Sequence, residues 1–255
     1  MRTLAAASAH RYALTMVFGL ANPQRFMRFT GPLVPVFWAL AALMLGWGVW
    51  LSFTAPEDYQ QLDTVRIMFV HVPAAWLGLM AYGLLGVSSF FALVFRHALA
   101  DAAARAAALP GAVFTALALI TGSLWGKPMW GTWWVWDARL TSVVVLFLFY
   151  LGYMALRTAI DDEQKAMRAS AVLGMVGLLN LVIVRFSVEW WNTLHQPPSV
   201  LRSGGPSMTA EHLTPLLVMG AAYTLLFFAL WLTDIRTEVR RRRLGTLRAR
   251  MGQEA

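Results

Sequence analysis

Six stretches of roughly 20 predominantly apolar residues, near 32–53, 72–95, 107–125, 140–157, 169–186 and 212–233, account for about half of this 255-residue chain. A segment of that length crosses the hydrocarbon core of a bilayer only as a helix, because lipid offers no partner for backbone N–H and C=O groups. The polar breaks between them are short, so no soluble domain has room to form. With 58% apolar and only 13% charged residues, the composition lies outside the range of soluble globular domains. The expected fold is therefore all-α, a polytopic membrane protein with six transmembrane helices. An even count places both termini on one side.

Lysine and arginine placement sets the orientation. With the termini inside, the inner segments hold sixteen of the 21 basic residues, seven of them arginines between Arg236 and Arg250. The outer segments hold only Arg66, Lys127, Arg139, Arg185 and Arg202. The N and C termini are thus expected to be cytoplasmic. The tail "RTEVRRRRLGTLRAR" fits a topology and anionic-lipid signal better than a nucleic-acid patch. The N-terminal "RYALTMVFGLANPQRF" is too short to span and lacks a clean cleavage site, which predicts an interfacial helix. The chain divides into an interfacial segment (1–29), a six-helix membrane domain (30–235) with a tryptophan-rich outer loop at 126–139, and a basic tail (236–255). With no cysteine, the chain has no disulfide, no thiolate metal site and no C-x-x-C-H attachment motif.

The outer loops carry the chemistry. Seven of the twelve tryptophans, Trp125, Trp130, Trp133, Trp134, Trp136, Trp190 and Trp191, fall in the second and third outer loops. An interfacial aromatic belt is the competing reading, but a belt populates both faces of a membrane, and the inner boundary holds very little tryptophan. If residues 130–137 form a helix along the interface, Trp130, Trp133, Trp134 and Asp137 share one stripe, with Trp136 to its side. That stripe is a flat apolar platform suited to a planar ligand. Asp137 beside Arg139 is either a simple ion pair or an orienting group for the platform.

Of five histidines, His10 and His97 fall on the inner side, and His71, His195 and His212 on the outer side. A lone histidine at a helix end more often caps or hydrogen-bonds than ligates. His71 and His195, however, bracket the tryptophan loop in sequence. A metalloporphyrin is a planar apolar disc whose iron accepts imidazole nitrogens from both faces, with propionates at one edge. Two histidines, a tryptophan shelf and the outer Arg66 and Arg139 supply what such a ligand requires. His212, beside Glu211, reads as a loop or capping residue.

The segments "GSLWGKPMWGTWWVWDARLTS" (122–142), "RIMFVHVPAAW" (66–76) and "SVEWWNTLHQPP" (187–198) closely resemble the tryptophan-rich WWD-domain haem-handling proteins of bacterial cytochrome c maturation, the CcmC family. The resemblance runs from about residue 30 to 235. It implies that haem b is held at the periplasmic face of the inner membrane with His71 and His195 as axial ligands. The platform would be Trp125, Trp130, Trp133, Trp134 and Trp136 with Asp137, and Trp190 and Trp191 would complete its wall. Arg66 and Arg139 match positions associated with the haem site. The implied partners are the periplasmic haem chaperone CcmE, the small membrane protein CcmD and the ABC transporter subunits CcmA and CcmB. The resemblance implies a holder and presenter of haem rather than an enzyme. A haem lyase acting on cytochromes, a haem channel through the bilayer and a quinone-binding or structural subunit are the alternatives.

Overall fold

A computed structural model describes residues 22–197, 199–200 and 202–253. His10 and residues 11–21 of the expected interfacial helix lie outside the described residues. Six α-helices follow in order: α1 (Pro23–Thr54), α2 (Met68–Val94), α3 (Ala98–Trp130), α4 (Ala138–Ala159), α5 (Glu163–Trp190) and α6 (Ala210–Gln253). A short 3₁₀ turn, Asp63–Ile67, leads into α2. All six are long and apolar enough to cross a membrane, as the hydropathy predicts, and no strand occurs among the described residues.

Local sequence fixes where the helices start. Asn22 accepts from the backbone N–H groups of Gln24 and Arg25, and Pro23 fills the first position, whose N–H would be unpaired anyway. Asp137 caps α4 through Leu140 N, Asp162 caps α5 through Gln164 N and Lys165 N, and His97 caps α3 through Ala100 N. Each cap removes an orphan donor.

Helices α2 and α3 pack at the centre, α4 and α5 flank them, and α1 lies at the edge against α6. The α2–α3 seam is close because α3 presents Ala104, Ala107, Ala108, Gly111 and Ala112, all buried, toward its neighbours. Small residues at such seams let helix backbones approach, which is the main source of packing when lipid supplies no hydrophobic drive. Tyr150 of α4 crosses at Gly111 and donates its hydroxyl to the Gly78 carbonyl at 2.7 Å; a Cβ at Gly111 would overlap that ring.

The helices run past the predicted apolar windows, most of all α6. Its 44 residues reach about 66 Å at 1.5 Å per residue, roughly twice a hydrocarbon core. The start of α1 and the far half of α6 meet at one end, where Arg236 donates to Met27 O at 2.6 Å and Thr30 Oγ1 at 2.8 Å. This arginine end is closed by ion pairs. Asp101 of α3, only 7% exposed, accepts from Arg157 at 2.8 and 3.2 Å and from Arg242. Glu238 accepts from Arg241 at 2.8 Å and from Arg242 at 2.7 Å. The opposite, tryptophan end carries the three longer connections.

Candidate functional site

His71 sits in the first turn of α2 and faces α3. Its Nδ1 is 3.0 Å from the Ala118 carbonyl and 3.2 Å from Thr121 Oγ1. A carbonyl accepts only, so Nδ1 carries the hydrogen and the lone pair resides on Nε2. This is the arrangement by which a protein orients an imidazole toward a metal. Gly122 makes room for the ring: a Cβ there would stand 2.9 Å from His71 Cε1. Trp125 packs edge-on against the imidazole at 5.7 Å between centroids and donates its indole N–H to Gln61 Oε1 at 3.1 Å.

The tryptophan loop is not the interfacial helix expected at 130–137. Helix α3 ends at Trp130, Gly131 follows in the left-handed region at φ 75°, and no helix resumes until Ala138. The physical reason lies in the two ends. A left-handed glycine terminates α3, and the Asp137 carboxylate holds Leu140 N at 2.8 Å, so a new helix starts one residue later. Thr132 stiffens the span between, its hydroxyl donating to the Trp134 carbonyl at 3.0 Å. The stripe therefore does not exist as a helical face. Trp130, Trp133 and Trp134 converge all the same, from a helix end and an extended loop, on one cavity.

Asp137 and Arg139 do not pair with each other. Besides capping α4, Asp137 accepts from Leu194 N at 3.2 Å, which ties the tryptophan loop to the third connection, and its Oδ2 faces His195 Nδ1 at 3.9 Å. Arg139 donates from Nε to Ser187 Oγ at 3.0 Å. Burial pulls the His195 pKa below its ordinary 6.5 and nearby Arg139 adds to this, while Asp137 opposes it, so the ring is neutral at physiological pH. The edge of Trp130 lies against the His195 ring at 5.0 Å.

Both histidines, His71 and His195, line this cavity, together with the three tryptophans and Arg139. The space they border, part of it open to solvent, is about 620 Å³. Two wall atoms are buried with no hydrogen-bond partner, Trp134 Nε1 and His195 Nδ1. His195 Nδ1 has the Asp137 carboxylate at 3.9 Å, whereas the Trp134 indole N–H has no acceptor, an orphan that costs about 1–3 kcal/mol unless a ligand supplies one.

The remaining expected residues stand elsewhere. Trp125 and Asp137 touch the histidines rather than the cavity. Arg66 pairs with Asp63 at 2.9 Å, with its Nε buried and unpartnered. Trp136 is 75% exposed beside Trp134, and Trp190 and Trp191 are exposed, Trp190 stacking on Phe186 at 5.2 Å. His212, in the first turn of α6, spends both ring nitrogens, on Thr209 Oγ1 just before that helix and on the Pro56 carbonyl of the first connection, each at 3.1 Å. No group of three or more His, Asp or Glu fit to hold a bare ion occurs among the described residues. A site offering two imidazoles suits a metal that brings its own equatorial ligands.

The family model described as Heme exporter protein C matches residues 16–250, which contain every residue of this cavity. The chain belongs to the Heme exporter protein C family. Among relatives of that name, the one from Bradyrhizobium diazoefficiens is 57% identical over 228 residues, covering 89% of this chain and 87% of the relative. The one from Paracoccus denitrificans is 46% identical over 235 residues, 92% of this chain and 98% of the relative. That from Haemophilus influenzae is 44% identical over 217 residues, 85% of this chain and 87% of the relative. The Heme exporter protein C relatives therefore align with nearly the whole six-helix chain rather than with a local motif.

Proposed function

We propose that the chain binds haem b in the cavity at the tryptophan end, with His71 and His195 as axial ligands, and presents it for transfer during cytochrome c maturation. The observation that carries this reading is the convergence of two histidines on one tryptophan-walled cavity, His71 with its Nε2 lone pair left free by the Ala118 carbonyl. The haem iron supplies two open axial positions for imidazole nitrogen. The chain's own residues do the rest. Ala118 and Thr121 fix the His71 tautomer, Trp130, Trp133 and Trp134 offer ring faces and edges to an apolar disc, and Arg139 offers a guanidinium to a propionate. Trp134 Nε1 is a second donor without a protein partner.

The tryptophan end faces the periplasm in this reading, because the arginine-rich end is retained in the cytoplasm of the inner membrane. The recipient is the haem chaperone CcmE, and CcmD with the ABC subunits CcmA and CcmB complete the assembly. The membrane domain 30–235 continues into the basic tail, since α6 runs without a break from Ala210 to Gln253. The chain holds and presents its cargo; the cavity brings together no nucleophile and base for turnover of its own. The described histidines all lie toward the helix ends, His71 and His212 in the first turns of α2 and α6, His97 at the cap of α3 and His195 in the third long connection, so among the described residues no ladder of histidines leads through the bilayer as a haem channel requires.

The test is co-purification of wild type, His71→Ala and His195→Ala with the chaperone, measuring haem per polypeptide. Each variant is expected to lose most bound haem and most chaperone loading at normal protein level. Unchanged haem content in both would overturn the axial assignment.

A further inference from the structure

A second cavity opens at the arginine end, between the end of α2, the starts of α3 and α5, and the far part of α6. It is open to solvent, with about 1240 Å³ of space including that opening, and is faced by Arg96, Arg168, Arg242, His97, Asp101 and Glu163. Both carboxylates are already engaged. Asp101 accepts from Arg157 and Arg242, and Glu163 lies 3.8 Å from both Arg241 and Arg242. Arg96 and Arg168 form no ion pair among the described residues. His97 accepts from Ala100 N through Nδ1 at 3.1 Å, which leaves Nε2 as its donor. The unspent functionality facing this space is therefore cationic and hydrogen-bond donating.

Arg96 also occupies backbone that arginine disfavours. Just past the Phe95 C-cap of α2 it adopts φ 50°, the left-handed position that glycine takes without steric cost. An arginine here accepts local strain and places a guanidinium at the rim of the cavity. Beside it, Phe91 and Phe95 stack at 5.5 Å and are 47% and 62% exposed, an apolar shelf on the outside of the bundle.

We infer that this cavity binds the phosphate of an anionic phospholipid, with its acyl chains lying along Phe91 and Phe95. Guanidinium groups bind phosphate oxygens by paired, charge-assisted hydrogen bonds. The cavity sits where spanning helices end, at headgroup level, and basic pockets between such helices select anionic lipids. Free inorganic phosphate presents the same oxyanion, but the apolar shelf beside the guanidinium serves only a ligand with acyl chains.

The test is native mass spectrometry of the purified full chain with phosphatidylglycerol and phosphatidylcholine of matched chains. Wild type should retain phosphatidylglycerol preferentially, and Arg96→Gln/Arg168→Gln should retain roughly tenfold less. Arg240→Gln/Arg243→Gln, which removes the same charge from α6 outside the cavity, should retain wild-type amounts. Arg96→Gly should keep or raise the melting temperature by releasing the left-handed strain while still lowering retention, which separates binding from folding. Equal retention in the first pair, or equal loss in the second, would overturn the site. A melting temperature raised by inorganic phosphate in wild type, without preference between the two lipids, would overturn the lipid assignment in favour of a free anion.

Discussion

At the arginine end, the buried carboxylates of Asp101 and Glu238 each accept from arginines, and Arg157, with only 4% of its side chain exposed, is held by Asp101. At the tryptophan end, Trp134 Nε1 and His195 Nδ1 are buried with nothing to bond, and His71 turns a free lone pair toward a cavity. The buried carboxylates of the arginine end thus have cationic partners, whereas two buried polar atoms in the wall of the tryptophan-end cavity have no hydrogen-bond partner. Removing one partner of such a buried pair is costly, because the other is left charged and unpaired. Incomplete pairing at a cavity marks a surface complementary to something else.

Breaking the closed end should have the largest effect. Asp101→Ala strands the buried Arg157 without a carboxylate, while Arg242 keeps Glu238, and should cost about 3–5 kcal/mol, read as a fall in denaturation midpoint in detergent. Haem affinity of the fraction still folded should stay near wild type; a parallel loss would show that the two ends are not independent. Next in size, Asp137→Ala should lower haem retention by roughly 10–100-fold, because the group facing His195 Nδ1 and tying Leu194 is removed. A change confined to stability would make Asp137 a helix cap alone. Gly122→Ala pushes a Cβ to 2.9 Å from His71 Cε1, so haem retention should fall about tenfold with protein level maintained. Trp134→Phe removes an orphan donor and should weaken haem binding by about 0.5–1.5 kcal/mol without loss of melting temperature.

The smallest effect concerns pH. The His195 pKa is lowered by burial, so its neutral form, the one able to ligate, persists as pH falls through 6.5. Haem retention at equilibrium should therefore be flat from pH 8 to 6.5 and decline only lower. Stability falls in the same direction, because below pH 6.5 the unfolded chain takes up a proton that the folded chain resists, and folding is disfavoured until the folded His195 titrates too. Retention that falls already between pH 8 and 7 would contradict a buried, neutral His195.

Helix number was legible because the bilayer demands a fixed length of apolar chain, whereas the capping roles of Asp137 and Asp162 emerge only from the structure. That the two bracketing histidines border one cavity agrees with their placement around the tryptophan loop, whereas His212, expected in a loop or cap, stands in the first turn of α6. The shape of the tryptophan loop was not. Spacing of 130, 133, 134 and 137 mimics a helical face, but Gly131 in the left-handed region ends the helix, and a period over eight residues does not distinguish a helix from an extended loop whose rings converge. Asp137 and Arg139 looked like a pair because they are close in sequence. Their real partners, Leu194 N and Ser187, arrive from connections and helices more than forty residues away. Gly122 and Thr121, which seat His71, were overlooked, although the small "TGS" at 121–123 inside an apolar run was a visible sign of close approach.

The central claim is that two imidazoles supply the axial ligands of one haem, and ligand rescue tests it most directly. Absorption spectra of haem-loaded wild type should show a six-coordinate low-spin species, His71→Gly and His195→Gly should each lose it, and added free imidazole should restore it in both. A low-spin spectrum that survives either substitution, or a loss that imidazole never repairs in folded protein, would contradict the account.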